Sequence, residues 1–466
     1  MKEILQKFID SVPDYKEFLT VAELDESSKK LAQAYPDTVK IFEMGKTREG
    51  HPLYCLKIGD EATTPDVGIM YGCPHPNEPI GTMLLEHFTW ELAKNKDLFD
   101  EIGYTWYIVK SWDLDATLLN ENWFKGPFTI TNYARNFYRP AGHKQVDWTF
   151  PIDYKDLHFH DPIPETVAMM KLIDEIKPKF VYSLHNAGFG GVYWYISKPM
   201  PEIYEQMHNA AHKQGIALNL GEPEMPYCKE YYPAVYAKTS VTDSYDYMEE
   251  NGITDIGSKI KQGTCSADYA ADVSDAFTLL TELPYFLDKR INNMEESDVL
   301  RKDVVAEKLE FGEKNTEQIN AIVKKVEEFV DKESPFYTAL AATVRSSSNA
   351  EATRKMIAAN PDYQRKAKVS EEFSNSLVAK FYRLLSMGML VRLHESELEK
   401  MHKNNENNPE KQKALEAGRE ESLAFFNDLA LYLEKNLDYS VQEIKKLVTI
   451  QLEAGLLSMD YVKKHY

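Results

Sequence analysis

Cysteine is scarce in this chain of 466 residues: there are four, Cys55, Cys73, Cys228 and Cys265, widely scattered and without a CxxC pair. Thiols so placed exclude a disulfide framework. They read as buried thiols, with Cys73 the one expected to be prone to oxidation. Long apolar runs are also missing, and none approaches the roughly 18 residues of a membrane span. Residues 1–13 lack the apolar core and small-residue cleavage site of a signal peptide, so a soluble cytoplasmic protein is expected. Positive charge is short as well: 54 Lys and Arg face 74 Asp and Glu, a formal net charge of −20. That balance argues against nucleic acid as a partner, because phosphate neutralisation needs Lys and Arg. It argues equally against docking on an anionic membrane. No GxSxG, P-loop or Rossmann fingerprint is present, and His394-Glu395 does not extend to HExxH, which excludes a helix-borne zincin.

What is present is a globular composition, 43% hydrophobic and 27% charged, in a chain long enough for several domains and a large core. Glycine, proline and tryptophan concentrate early. Residues 1–290 hold 17 of 21 Gly, 19 of 22 Pro and all six Trp, leaving four Gly, three Pro and no Trp to residues 291–466. The first part therefore reads as a mixed α/β domain rich in turns, and the second as an all-α accessory domain.

In the first part, Thr20 and Glu23 form a capping box opening a helix that stops at Pro36. Strands are predicted over 39–45, 53–59, 67–71, 104–110, 180–184 and 277–283, with helices over 80–94 and 164–176. Strands alternating with helices imply a sheet covered on both faces. In the second part, Leu377, Val378, Phe381, Leu384 and Leu385, and then Leu423, Phe426, Leu429 and Leu433, repeat at helical spacing. Ser440 with Glu443 is predicted to cap a last helix.

The chemistry concentrates in three places. His75 and Glu78 form an HxxE pair in the proline-broken loop after a buried strand, and His185 ends another buried strand. Two His and one Glu make a three-ligand zinc set with a position left for water, and strand ends in an α/β sheet converge on one crevice. Glu282 sits within an apolar strand, where a carboxylate is costly unless it is paired or used. The bland reading is a salt-bridged structural Glu; the functional one is a general base beside a metal ion. His158 and His160 with Asp161 form a further cluster, read as loop histidines near the rim of the site.

Together these residues resemble the zinc carboxypeptidase family of the pancreatic type. The likeness runs collinearly over about residues 15–290: the helix and Gly45-Lys46-Thr47-Arg48-Glu49-Gly50-His51-Pro52 turn, the HxxE loop, Pro164-Glu165-Thr166 before a helix, Leu184-His185, and residues 263–270 before Glu282. The resemblance implies a mixed eight-stranded sheet flanked by helices as a catalytic domain over 1–290, with the helical accessory domain over 291–466. It implies one Zn2+ per chain on His75, Glu78 and His185, and Glu282 as the base that activates water. It places Arg139, with Arg135 as rival, on the scissile carbonyl, and Asp147 behind His75.

Departures are equally visible. The family's carboxylate-binding Asn-Arg pair is replaced by Thr149 and Phe150, and only the earlier Arg135-Asn136 pair could take over. Ala267 stands where an acidic pocket floor would select basic side chains, and no tyrosine occupies the family's mobile position near Ile260. The expected activity is zinc-dependent hydrolysis of peptide bonds with release of C-terminal residues. A zinc amidohydrolase or deacylase of N-acyl amino acids, or an atypical endopeptidase, is the alternative. A degenerate zinc domain serving binding or assembly is the second. The helical region is open to roles as lid, substrate gate or surface for a homo-oligomer.

Overall fold

Three short runs without a polar face dictate the centre of the molecule. β3 (Val67–Tyr71), β4 (Thr105–Val109) and β7 (Phe180–Leu184) are buried at every position, as strands covered on both faces must be. In the computed structural model, which describes residues 2–346, 354, 355, 357, 358 and 360–466, β3 pairs in parallel with β4 on one side and β7 on the other. Further strands are β1 (Val39–Lys46), β2 (Pro52–Ile58), β5 (Ile152–Tyr154), β6 (Leu157–Phe159), β8 (Ala187–Phe189), β9 (Tyr193–Ile196), β10 (Glu230–Tyr232), β11 (Val235–Ala237), β12 (Phe277–Glu282) and β13 (Pro284–Leu287), and the region expected to be all-α adds three short ones, β14 (Glu296–Leu300) paired antiparallel with β15 (Lys366–Lys368), and β16 (Ser440–Val441). The main sheet runs β1-β2-β4-β3-β7-β12-β9-β11-β10. It is a mixed sheet as expected, but of nine strands and not eight, with the short β10–β11 hairpin forming one edge.

Helix Val21–Ala34 begins at the predicted capping box, with the Glu23 amide donating to Thr20 Oγ1 and the Thr20 amide to Glu23. Helices Pro164–Ile176 and Ser266–Ser274 cover one face of the sheet through Met169, Leu172, Ile173 and Ala270. Helix Ile80–Lys94 covers the other, together with helix Ile444–His465. That last helix is thus part of the sheet's own flank: the Tyr182 hydroxyl of β7 donates to the Gln451 carbonyl at 2.7 Å. Ser440 does not cap it. Ser440–Val441 pairs with β13, and the Gln442 amide donates to the Tyr285 carbonyl, so the helix starts only at Ile444.

The other late helices, Arg301–Lys324, Pro335–Ser346, Ala379–Lys403 and Pro409–Asn436, stack across the C-terminal ends of the central strands. Arg392 locks them down. Its guanidinium donates to the carbonyls of Leu119, Asn136 and Phe137 at 2.7–3.1 Å, capping the end of helix Ile130–Asn136.

A buried acid beneath the β1–β2 turn carries a pH signature. Asp113 is fully buried, 3.6 Å from Arg48. Burial pushes its carboxyl up to about 8, with Arg48 opposing and Glu165 and Asp115 adding. The folded value lies above the ordinary one near 4, so the stabilisation from this group is complete below about pH 4 and is lost as pH rises through about 8. Asp113→Asn is therefore expected to match the native chain in thermal midpoint at pH 4 and to exceed it at pH 9. A constant difference across that window in melting curves would contradict the assignment.

Candidate active site

The loop after β3 folds so that both of its polar residues face one point. Cys73 takes φ 47°, and the Glu78 amide donates to the His75 carbonyl at 3.1 Å. This tight turn brings His75 Nδ1 to 3.1 Å from Glu78 Oε1. His185 follows β7, the strand beside β3, and its Nδ1 lies 3.1 Å from both His75 Nδ1 and Glu78 Oε2. The Asn186 amide steadies the same carboxylate oxygen at 3.2 Å, and Ser183 Oγ sits 2.7 Å from His185 Nε2, leaving Nδ1 to face the cluster. All three residues are buried, and their donor atoms lie within the reach of one ion.

Electrostatics favours the deprotonated forms of His75 and Glu78. Burial, reinforced by Arg139, holds the His75 imidazole down at about 3. Burial alone would raise Glu78, but the two imidazoles outweigh it and hold the carboxyl below its ordinary value. Neutral imidazole and ionised carboxylate are the forms a metal requires, so the donor set fits a divalent ion.

Glu282 is the last residue of β12. Because β12 runs parallel to β7 with Thr281 opposite Leu184, Glu282 emerges beside His185, 3.8 Å from its Nδ1. Burial, then Glu78 and Glu224, push its carboxyl well above the usual range, with Arg139 pulling the other way. A cation among the neighbouring donors would oppose that rise.

These groups open into a cavity of about 870 Å³. A match to the family model described as zinc carboxypeptidase covers residues 24–285, more than half of the chain. The chain belongs to the zinc carboxypeptidase family. Carboxypeptidase D of Anas platyrhynchos and that of Homo sapiens are each 22% identical over 244 residues, covering 48% of this chain and 17% of their own length. The chain thus spans under a fifth of the curated relatives it matches. Among solved structures, carboxypeptidase A from Helicoverpa armigera aligns over 61% of this chain and 71% of its own at 17% identity, TM-score 0.36. The metallo-carboxypeptidase from Burkholderia cenocepacia aligns over 72% and 70% at 14% identity, TM-score 0.35.

Against the family pattern, the predicted residues divide. Arg139 lines the cavity, its Nη1 3.5 Å from Glu78 Oε1 and its Nε donating to Gln145. Arg135 and Asn136 do not line it. Arg135 pairs with Glu395 of the overlying helix at 2.5 Å, and Asn136 turns back on Asn132, because helix Ile130–Asn136 is the platform on which the late helices dock. Asp147 lines the cavity but serves the Ser266 amide at 2.9 Å. The group meeting His75 Nε2 is the Trp148 indole, at 3.2 Å; the tight turn Val146–Trp148 swings successive side chains far apart. Ala267 lines the wall as expected, next to an ion pair between Lys238 and Asp268. Thr149 and Phe150 are wholly buried and can touch no substrate. Cys73 is wholly buried too, and burial drives its thiol far up, which shields it from oxidation.

Two features escaped the sequence. Glu224 faces the cavity and accepts the hydroxyls of Tyr193 and Tyr195 at 2.7 and 3.1 Å. Tyr382 and Arg383, from helix Ala379–Lys403, close the cavity from above. An aromatic alternation at 193–195 was the available signal for the first; nothing local announces the second.

Proposed function

We propose that this chain is a zinc-dependent peptide hydrolase that removes residues from the C-terminal ends of peptides. The observation that carries the reading is the convergence of His75, Glu78 and His185 with Glu282 at the ends of adjacent parallel strands. Two imidazoles and a carboxylate are a catalytic zinc set, and zinc, when bound, supplies Lewis-acid polarisation and acidifies water. Glu282 is placed to take a proton from attacking water and to hand it to the leaving amine. Arg139 offers a guanidinium to the developing oxyanion, worth most in a closed, water-poor site. Arg139 must leave its contact with Glu78 to do so, an exchange that a cation on Glu78 favours.

The roofed cavity favours chain ends over internal segments. Recognition of a terminal carboxylate falls to Arg139 or to groups of the roof, since the family's Asn-Arg pair has no counterpart in contact with the cavity. That same loss supports the second reading, an amidohydrolase acting on N-acyl amino acids. Glu224, which forms no ion pair among the described residues and faces the cavity, favours a positively charged group on the substrate.

A panel of peptides with free and amidated C-termini, beside N-acyl amino acids, decides between them. Release of C-terminal residues from free peptides only, abolished by a chelator and restored by Zn2+, is expected. Equal cleavage of amidated peptides would overturn the exopeptidase reading. Peptides with basic ends should exceed those with acidic ends, and added salt should narrow the gap, because the acidic surface repels anions over about a Debye length.

A further inference from the structure

A second set of metal-ligating side chains lies outside the cavity, on the β5–β6 hairpin. The strand register supplies a carboxylate that sequence proximity does not. β5 and β6 are antiparallel, with Asp153 directly opposite His158, and residues two apart along a strand share a face, which puts His160 on the same side. Asp153 Oδ1 lies 2.7 Å from His158 Nδ1 and 3.0 Å from His160 Nε2, and one donor atom from each residue falls within 4.8 Å of the other two. Asp161, the neighbour in sequence, is not part of the group. The hairpin is not a loose loop: Leu157 anchors it in a small core with Val241, Tyr245 and Ile256. Acidic side chains lie nearby, Asp246 and Glu249 sharing Lys155.

We propose that Asp153, His158 and His160 form a second metal site, taking a divalent transition ion of the zinc and copper class. Imidazole nitrogen selects such ions over Mg2+ or Ca2+, which prefer all-oxygen sets. Three protein donors leave coordination positions for water. All three side chains are exposed, 60–62% for each, so the ion exchanges with solvent and is held more weakly than one on the buried triad. Occupancy ties the two strands together across their register. None of the three residues lines the cavity, so this site stands or falls independently of the proposed hydrolase activity.

The test is metal stoichiometry on the full chain. After equilibrium dialysis against micromolar free Zn2+, elemental analysis should find two ions per chain, and one after further dialysis against metal-free buffer. The variant His158→Ala/His160→Ala should lose the exchangeable ion and keep the tight one, while His75→Ala should lose the tight ion and keep the other. With Cu2+ as probe, added to a chain whose buried triad already holds Zn2+, electron paramagnetic resonance should show nitrogen hyperfine coupling that the double variant lacks and Asp153→Asn weakens. A double variant whose metal content equals that of the native chain overturns the proposal. Retention of the tight ion by the double variant confirms that its fold is intact.

Discussion

Glu282→Gln should lower kcat by about 10³-fold while the metal content of the chain stays unchanged. The amide is isosteric with the carboxylate, so the cavity keeps its shape, and His75, Glu78 and His185 keep their donors. What is lost is the ability to accept a proton from water and return it to the leaving amine, for which general-base catalysis supplies roughly 10²–10⁴-fold. KM should move little, because the side chain acts on the reaction and not on binding. Steady-state kinetics with parallel elemental analysis separates these outcomes. Turnover near that of the native chain would remove Glu282 from the base role. Loss of metal together with turnover would instead make it a structural support of the triad.

The second large effect is on stability. Gly388→Val should destabilise the chain by about 3 kcal/mol, near the upper end for overpacked contacts. Gly388 lies where helix Ala379–Lys403 crosses helix Ile130–Asn136, and a Cβ there would come within 1.9 Å of the Ala134 carbonyl oxygen. Backbone cannot swing aside as a side chain can, so the helices must separate. Separation also pulls on the Arg392 contacts with Leu119, Asn136 and Phe137 and lifts Tyr382 and Arg383 from the cavity. Denaturant unfolding should show the loss, and the variant should lose the proposed hydrolase activity below its unfolding midpoint. Glu399→Ala, an exposed change on the same helix, should stay within about 0.5 kcal/mol. If both variants unfold alike, the crossing is not a tight contact.

Local patterns were readable where one signal dominated. The strand over 67–71 and the helices over 80–94 and 164–176 fall where apolar periodicity, proline and capping residues put them. His75, Glu78 and His185 stood out because each follows a buried strand, and strand ends in a parallel sheet share one rim. Glu282 stood out because an ionisable group in an apolar strand demands a reason. Arg135 and Asp147 misled for one shared cause. Both have the right residue type near the right place, but a helix that supports other helices and a tight turn that swings Trp148 toward His75 decide which side chain reaches the site. Ser440 and Glu443 carried a valid capping pattern, yet pairing with β13 offered that backbone a better partner.

The sequence by itself determined the donor set, the buried carboxylate of Glu282 beside it and the two-faced sheet that holds them, because these depend on residue type and on periodicities of a few residues. Tertiary structure alone decided what surrounds them. Glu224 comes to the cavity across about sixty residues from Glu282, Tyr382 and Arg383 across about a hundred, and Asp153 meets His158 through strand register. Contacts of that kind are set by how whole elements pack, which no local pattern encodes. The late helices, distinct in composition, are joined to the sheet's core through Gln451 and Tyr182 and to the cavity through Tyr382, so what the cavity can accept is shaped by a part of the chain that carries none of the buried donors.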